Sequence, residues 1–343
     1  MGYLVLARKY RPQTFDEVVG QTHVTQTLSN AIRHQRVAHA ILFSGPRGTG
    51  KTTVARILAK AMNCVQGATP DPCNACRSCN EITGSSAADV FEIDGASNNS
   101  VDQIRELREN VKYMPAYSPH KIYIIDEVHM LSTAAFNALL KTLEEPPPHV
   151  IFLFATTEAH KIPITILSRC QRYDFRRVGF DQIVALMTSL CEKENVVLPA
   201  ESLTTIAREA GGSVRDALSL LDQVMTCSDG KQTHEQVLEI LGTVDRRLLL
   251  NLTDVLLQGD TCRVLESIDA VFQRGQDLKK FYQELITHVR NLLVIKLSDQ
   301  AERLVDLPQA EVAHLRSSVA NLSSAALNHV LEALFRDEAA IRL

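Results

Sequence analysis

The chain has 343 residues, enough for about two or three domains of ~100–200 residues each, and its 45% hydrophobic and 22% charged content is ordinary for a globular protein with a sizeable core. The 36 Lys and Arg against 40 Asp and Glu leave a formal charge of −4, which excludes a surface basic throughout but leaves room for a local basic face. With no Trp and 5% aromatic residues, a broad base-stacking platform is not expected; no apolar run reaches the ~20 residues of a membrane span, and Met1–Tyr10 carries Arg8 and Lys9 with no signal-peptide core behind them, so the expectation is a cytoplasmic protein.

Along the first half, the apolar runs Ala40–Ser44, Asp89–Ile93, Lys121–Ile125 and Val150–Ala155 read as buried strands. Helical patterns at Thr52–Asn63, Val101–Lys112 and Ser132–Leu143 separate them. This alternation predicts a parallel sheet covered on both faces. Beyond Arg177 the strand signal fades. Asp181–Lys193, Ala200–Ala210, Ser213–Thr226 and Thr233–Leu241 read as helices, with Val178-Gly179 as a hinge. After Gly242-Thr243, two sets of apolar residues recur at steps of three and four: Leu278 through Leu293, and Leu327 through Phe335. These are amphipathic helices. The expected organisation is an α/β domain over residues 1–178, a small helical domain over 179–242 and an all-α domain over 243–343. The last helix reaches Leu343 without a stop signal, as in a chain cut from a longer one.

Gly45-Pro46-Arg47-Gly48-Thr49-Gly50-Lys51-Thr52, followed by Thr53, fits G-x-x-x-x-G-K-[ST] and stands after a strand and before a helix. Its glycines let backbone N–H groups face phosphate oxygens, and the helix N-terminus adds partial positive charge. Lys51 is placed to reach the β- and γ-phosphates and Thr52 to hold Mg²⁺. The plainer reading is a glycine-rich turn that caps a helix. Ile122–Ile125 then leads into Asp126-Glu127. Side chains alternate along a strand, so the two carboxylates are expected to take different tasks: Asp126 the Mg²⁺ shell, Glu127 the polarisation of an attacking water.

Eight cysteines need a reason. Cys64, Cys73, Cys76 and Cys79 lie within sixteen residues, among the turn-prone Pro70, Asp71, Pro72 and Asn74. Four thiolates so spaced can close a tetrahedron around Zn²⁺. An iron–sulfur cluster fits less well, because the fourth Cys precedes the triplet and no Cys-Pro follows. No water-activating His or Glu lies beside them in sequence, so the site is expected to be structural. Unligated thiols are the alternative.

Here the chain resembles the AAA+ ATPases and, within them, the tau/gamma family of bacterial DNA polymerase III clamp-loader subunits. The resemblance rests on Ala7–Pro12, Phe15–Gln21, the Gly45–Thr52 loop, the cysteine cluster, Asp126–Leu131, Asn137–Pro147, Ala155-Thr156-Thr157, Leu167–Cys170 and Gly212–Leu218. It is detailed over residues 1–242 and rests on helical character beyond. It implies a P-loop AAA+ domain with a zinc insertion at 64–79, a helical lid and a C-terminal oligomerisation collar. Thr157 would be sensor 1, with Thr156 the choice if the register shifts by one. Arg215, just inside a helix that Ser213 could cap, would be sensor 2. Arg169 would be an arginine finger acting on a neighbour's ATP. Arg8, Tyr10, Arg11, Val18 and Val19 would cradle adenine and ribose, and the helix of Arg105 and Arg108 after Ser97-Asn98-Asn99-Ser100 would track the DNA backbone, unless it is a solvated helix with Arg–Glu pairs. The cofactors implied are ATP, Mg²⁺ and Zn²⁺. The partners implied are copies of the chain, delta- and delta-prime-type subunits, a sliding clamp, primed DNA, and polymerase through residues beyond 343, with no membrane. The reaction implied is ATP hydrolysis that loads the clamp within the DNA polymerase III holoenzyme, a DNA-directed DNA polymerase and hence a transferase. Two rival readings remain open: another AAA+ motor, such as a branch-migration machine, and a nucleotide-gated scaffold that binds ATP without hydrolysing it.

Overall fold

The computed structural model describes residues 3–97, 101–227, 232–242, 246–273, 278–298, 300–301, 304–305, 307, 309–320 and 322–338. The chain divides into two compact units, Met1–Lys193 with Thr205–Asp222, and Glu194–Thr204 with Gln223–Leu343.

The first unit is built on five parallel strands: β1 (Ala40–Ser44), β2 (Val90–Asp94), β3 (Lys121–Asp126), β4 (Val150–Thr156) and β5 (Gln171–Asp174), in the order β2-β3-β4-β1-β5. Before β1 come α1 (Leu6–Lys9) and α2 (Thr22–Arg33). The strands are then linked by α3 (Lys51–Asn63) with α4 (Arg77–Thr83), by α5 (Val101–Val111), by α6 (Thr133–Glu144) and by α7 (Ile164–Leu167). Side chains alternate between two cores. Ile41, Phe43, Ile122, Ile124 and Leu153 meet Leu28 and Ile32 of α2 and Ile57 and Leu58 of α3. Leu42, Tyr123, Ile125, Phe152 and Phe154 meet Leu107 of α5, Phe136 and Leu139 of α6 and Ile166 of α7. A strand buried on both faces has no polar side, which is why these runs are unbroken and apolar. The edge strand β5 differs: only Tyr173 turns inward, while Gln171, Arg172 and Asp174 are exposed, so it gives no apolar run and was not expected from the sequence. β4 pairs with both β1 and β3, and this brings the carboxyl ends of all three together. α8 (Phe180–Glu194), α9 (Ala200–Glu209) and α10 (Val214–Thr226) follow.

The second unit contains α11 (His234–Leu241), α12 (Arg246–Gln258), α13 (Thr261–Gln273), α14 (Leu278–Leu297), α15 (Gln309–Ser318) and α16 (Ser324–Asp337). Thr233 and Gln236 form a reciprocal capping box at the start of α11. α14 is long enough to serve two clusters. Phe281, Leu285 and Val289 pack with Leu252, Val271 and Leu331, whereas Leu292 and Ile295 pack with Val312, Leu315 and Leu327. Leu265, Ile268 and Phe272 of α13 are 63%, 41% and 63% exposed and recur at helical spacing. Among the described residues, no helix is long and apolar enough to cross a membrane.

Candidate nucleotide and metal sites

The loop after β1 is shaped by two close approaches. Gly45 has φ +143°, and a Cβ there would stand 2.4 Å from the carbonyl oxygen of Phe175. Gly48 has φ +71°, and a Cβ there would fall 1.9 Å from Ser213 Oγ and 3.2 Å from Arg215 Cβ. The start of α10 therefore rests on the loop: the Arg215 N–H donates to Gly48 O at 3.3 Å, and exposed Arg47 stands 3.8 Å from Asp216. Ser213 Oγ caps α10 by accepting the Asp216 N–H at 3.2 Å. Lys51 opens α3, is buried, and donates to Gly45 O (2.9 Å) and Pro46 O (2.7 Å). Burial holds its pKa below the ordinary lysine value, with Glu127 and Asp126 opposing. Buried Thr49 closes the loop by donating to Pro46 O, and Thr53 is half-buried.

Asp126 ends β3, and its Oδ2 accepts the Thr52 hydroxyl at 2.7 Å, so the two residues expected to share a cation already touch. Strand alternation is not what separates Asp126 from Glu127. Glu127 lies outside the strand at φ +44°, a left-handed conformation uncommon for a side-chain-bearing residue. Its Oε2 accepts both the Thr157 N–H (3.2 Å) and the Thr157 hydroxyl (3.0 Å). Thr156 is buried and faces His129 Nδ1 at 3.0 Å instead. Of the two threonines, it is Thr157 that reaches Glu127.

A set of arginines gathers beside the loop. Arg11 has its pKa lowered by burial, then by Arg56, with Glu92 opposing and Arg215 and Arg8 adding to the depression. Arg56 itself pairs with Glu92 at 2.6 Å. Arg8, Arg11 and Arg215 were expected at this site, and the structure brings Arg8 and Arg215 each within electrostatic reach of Arg11. Arg56 was not expected, although it stands four residues after Thr52 on the same helix. Several guanidinium groups with one carboxylate among them suit an anion. Val18 lies 4.0 Å from a Cβ built on Gly50 and packs on the core; Val19 is half-buried; Tyr10 is half-buried with Lys9 and Lys193 over its ring at 5.3 and 5.8 Å.

Arg169 hydrogen-bonds Thr165 O (2.6 Å), Ser168 Oγ (3.2 Å) and Glu144 (2.6 Å); none of these bonds reaches the Gly45–Thr52 loop. On α5, Arg108 stands 3.4 Å from Glu109, and Arg105 is exposed. Asn98, Asn99, Ser100, Thr243 and Leu343 lie outside the described residues.

The cysteines come together. Cys64 is the C-cap of α3 and Cys79 lies on α4, both buried, with Cys73 and Cys76 half-buried. All four sulfurs lie within 4.8 Å of one another. Tetrahedral zinc, with Zn–S of about 2.3 Å, asks for sulfurs about 3.8 Å apart, and Cys73 and Cys79 stand at 4.0 Å. The Cys73 N–H points at Cys64 Sγ (3.4 Å) and the Cys76 N–H at Cys73 Sγ (3.3 Å). Backbone N–H groups of Ala75 and Cys76 lower the Cys73 pKa to about 6, favouring the ligating thiolate; burial drives Cys79 upward. The donor set fits a thiophilic cation.

A parallel sheet in this order, with a glycine-rich loop after β1, paired acids after β3 and a polar threonine after β4, is the AAA+ P-loop fold. In backbone the chain is similar to the Thermotoga maritima RuvB Holliday junction branch migration motor, at 18% identity and a TM-score of 0.51 over 72% of this chain and 79% of that one. Residues 20–179 match the family described as DNA polymerase III, delta subunit; 182–230 match DNA polymerase III clamp loader subunit, ATPase lid domain; 232–339 match DNA polymerase III subunits gamma and tau domain III. The chain is 37% identical to the DNA polymerase III subunit gamma of Buchnera aphidicola subsp. Baizongia pistaciae, covering 94% of this chain and 88% of that protein. It is 48% identical to the tau subunit of Bacillus subtilis and 44% identical to that of Escherichia coli, covering 89% and 88% of this chain. It belongs to the DNA polymerase III gamma/tau family. It spans about half the length of the two tau proteins, 54% and 47% respectively.

Proposed function

We propose that the chain is the ATP-driven motor subunit of a bacterial replicative clamp loader. It binds and hydrolyses ATP to open a sliding clamp and place it on primed DNA. The observation that carries this reading is the Thr52–Asp126 contact beside a Glu127 held by Thr157, in a chain of the gamma/tau family. Lys51 and the loop N–H groups would hold the phosphates, and Thr52 and Asp126 the Mg²⁺. Glu127 would orient the attacking water, and Arg215 would tie the α10 segment to the nucleotide. Arg8, Tyr10, Arg11, Val18 and Val19 would receive adenine and ribose. Cys64, Cys73, Cys76 and Cys79 would hold one structural Zn²⁺, with no open position for chemistry. Residues 243–343 would form the collar that joins copies of the chain to delta- and delta-prime-type subunits; the exposed Leu265, Ile268 and Phe272 support it. The site of action is the cytoplasm, within the DNA polymerase III complex.

Arg169 would work in trans, because its own contacts hold it among Thr165, Ser168 and Glu144. ATPase activity measured with and without sliding clamp, partner subunits and primed DNA tests the reading. Stimulation that needs all three is expected, and turnover indifferent to them overturns it. An Arg169→Ala subunit keeps its pocket and a Lys51→Ala subunit keeps its finger. Mixed assemblies of the two should therefore recover activity that neither has alone. Confirmed mixed assembly without recovery rejects the trans finger.

A further inference from the structure

We propose that His129 is a positioning residue for the Glu127 carboxylate, gripping it from one ring nitrogen while Glu158 grips the ring from the other. This rests on Glu127 being the residue that orients the attacking water. The ring is nearly buried, its side chain 6% exposed, in the turn that follows Glu127. Its Nδ1 stands 3.3 Å from Glu127 Oε2 and 3.0 Å from Thr156 Oγ1, and its Nε2 stands 3.1 Å from Glu158 Oε2. Glu158 is fixed in turn: its N–H donates to Thr156 Oγ1 at 3.0 Å, and its carboxylate accepts Lys161 at 2.8 Å, with His160 at 3.9 Å. Lys161 first, then His129 and His160, hold the Glu158 carboxyl below its usual range, so it is an anion facing Nε2. With Nε2 facing that anion and Nδ1 facing both Thr156 Oγ1 and Glu127 Oε2, the ring stands between the two carboxylates.

The contacts on Glu127 are lopsided. Thr157 N–H, the Thr157 hydroxyl and His129 Nδ1 all converge on Oε2, whereas Oε1 has no hydrogen-bond partner among the described residues. A carboxylate fixed by one oxygen presents the other in a set direction, which is what a group that must align a water requires. The threonine alone gives two bonds from one residue. The histidine adds a contact from a second segment, and it couples the left-handed turn at Glu127 to the segment after β4. The signal in the sequence was a His two places after the acid pair, which no periodicity explains.

The test uses the 343-residue chain with Mg²⁺-ATP and reads kcat separately from the affinity for a fluorescent, non-hydrolysable ATP analogue. An Asn amide can stand in for Nδ1–H and a Gln amide for Nε2–H. His129→Leu and His129→Gln should lower kcat by about tenfold or more while changing affinity less than about twofold, and His129→Asn should stay within about threefold of wild type. Glu127→Gln is the control: turnover near the wild-type rate there overturns the role of Glu127 itself. With that control inactive, His129→Leu at the wild-type rate overturns the proposal. So does loss of affinity in parallel with kcat, or His129→Asn as impaired as His129→Leu.

Discussion

α3 has a charged site at each end, and the two are held in opposite ways. At its N-terminus the Gly45–Thr52 loop is confined by backbone and side-chain atoms that leave no space for extra carbon: Phe175 O at Gly45, Ser213 Oγ at Gly48. At its C-terminus Cys64 joins Cys73, Cys76 and Cys79 in a loop in which a Cβ on Gly67 would meet nothing within 4 Å. The first site is shaped by packing. The second is a set of four sulfurs that could hold a cation. The contrast teaches that a close-packed loop fails by collision, whereas an open cluster of metal-type donors would fail by loss of an ion.

The largest expected effect is at the packed end. Gly45→Ala puts a methyl group against a carbonyl oxygen at a φ that disfavours side chains, at a cost of about 1–3 kcal/mol. ATP affinity should fall by about tenfold or more, read by nucleotide titration. An alanine variant that binds as tightly as wild type would show that the loop is looser than its contacts indicate. At the open end, removing the metal with a strong chelator, or changing Cys73 to Ser, should abolish hydrogen-exchange protection over residues 64–83 and lower the thermal midpoint. ATP affinity should change less than about twofold, since none of the four cysteines belongs to the Gly45–Thr52 loop. If affinity collapses with the metal, α3 transmits between its ends and the two sites are not independent. The smallest effect on nucleotide binding belongs to Phe272→Glu on α13. That side chain is exposed, so the stability of the isolated chain should move by no more than about 0.5 kcal/mol. Light scattering should nonetheless show weakened self-association, and an unchanged mass would remove this stripe from the collar reading.

What was legible in the sequence follows the same division. β1, β2, β3 and β4 showed as apolar runs because, apart from the partly exposed β2, they are buried on both sides. β5 has one buried residue in four and left no trace. α4 was hidden because its residues 77–83 overlap the cysteine spacing, which reads as a metal loop before it reads as a helix. The P-loop, the acid pair and the four cysteines are motifs legible from local spacing, and the four sulfurs do lie within 4.8 Å of one another. Arg56, His129 and Glu158 were missed because their significance lies in contacts between separate segments: Arg56 with Glu92, His129 with Glu127 across a turn, Glu158 with His129 from the next strand's end. Asp126 and Glu127 do diverge as expected, but through a left-handed residue that strand periodicity does not encode.

Cys64 caps the carboxyl end of α3, where the peptide dipoles leave about half a negative charge. That is the wrong end of a helix for a thiolate. Four ionised sulfurs gathered there would repel both one another and the carbonyls of the last turn, and burial already drives the Cys79 thiol upward. A divalent cation held by the four thiolates would reverse the balance, and its uptake would release protons into solution. Uptake of the ion should acidify a weakly buffered sample and strengthen steeply as pH rises. The same helix would then offer its positive end to phosphate and leave its opposite end dependent on a cation.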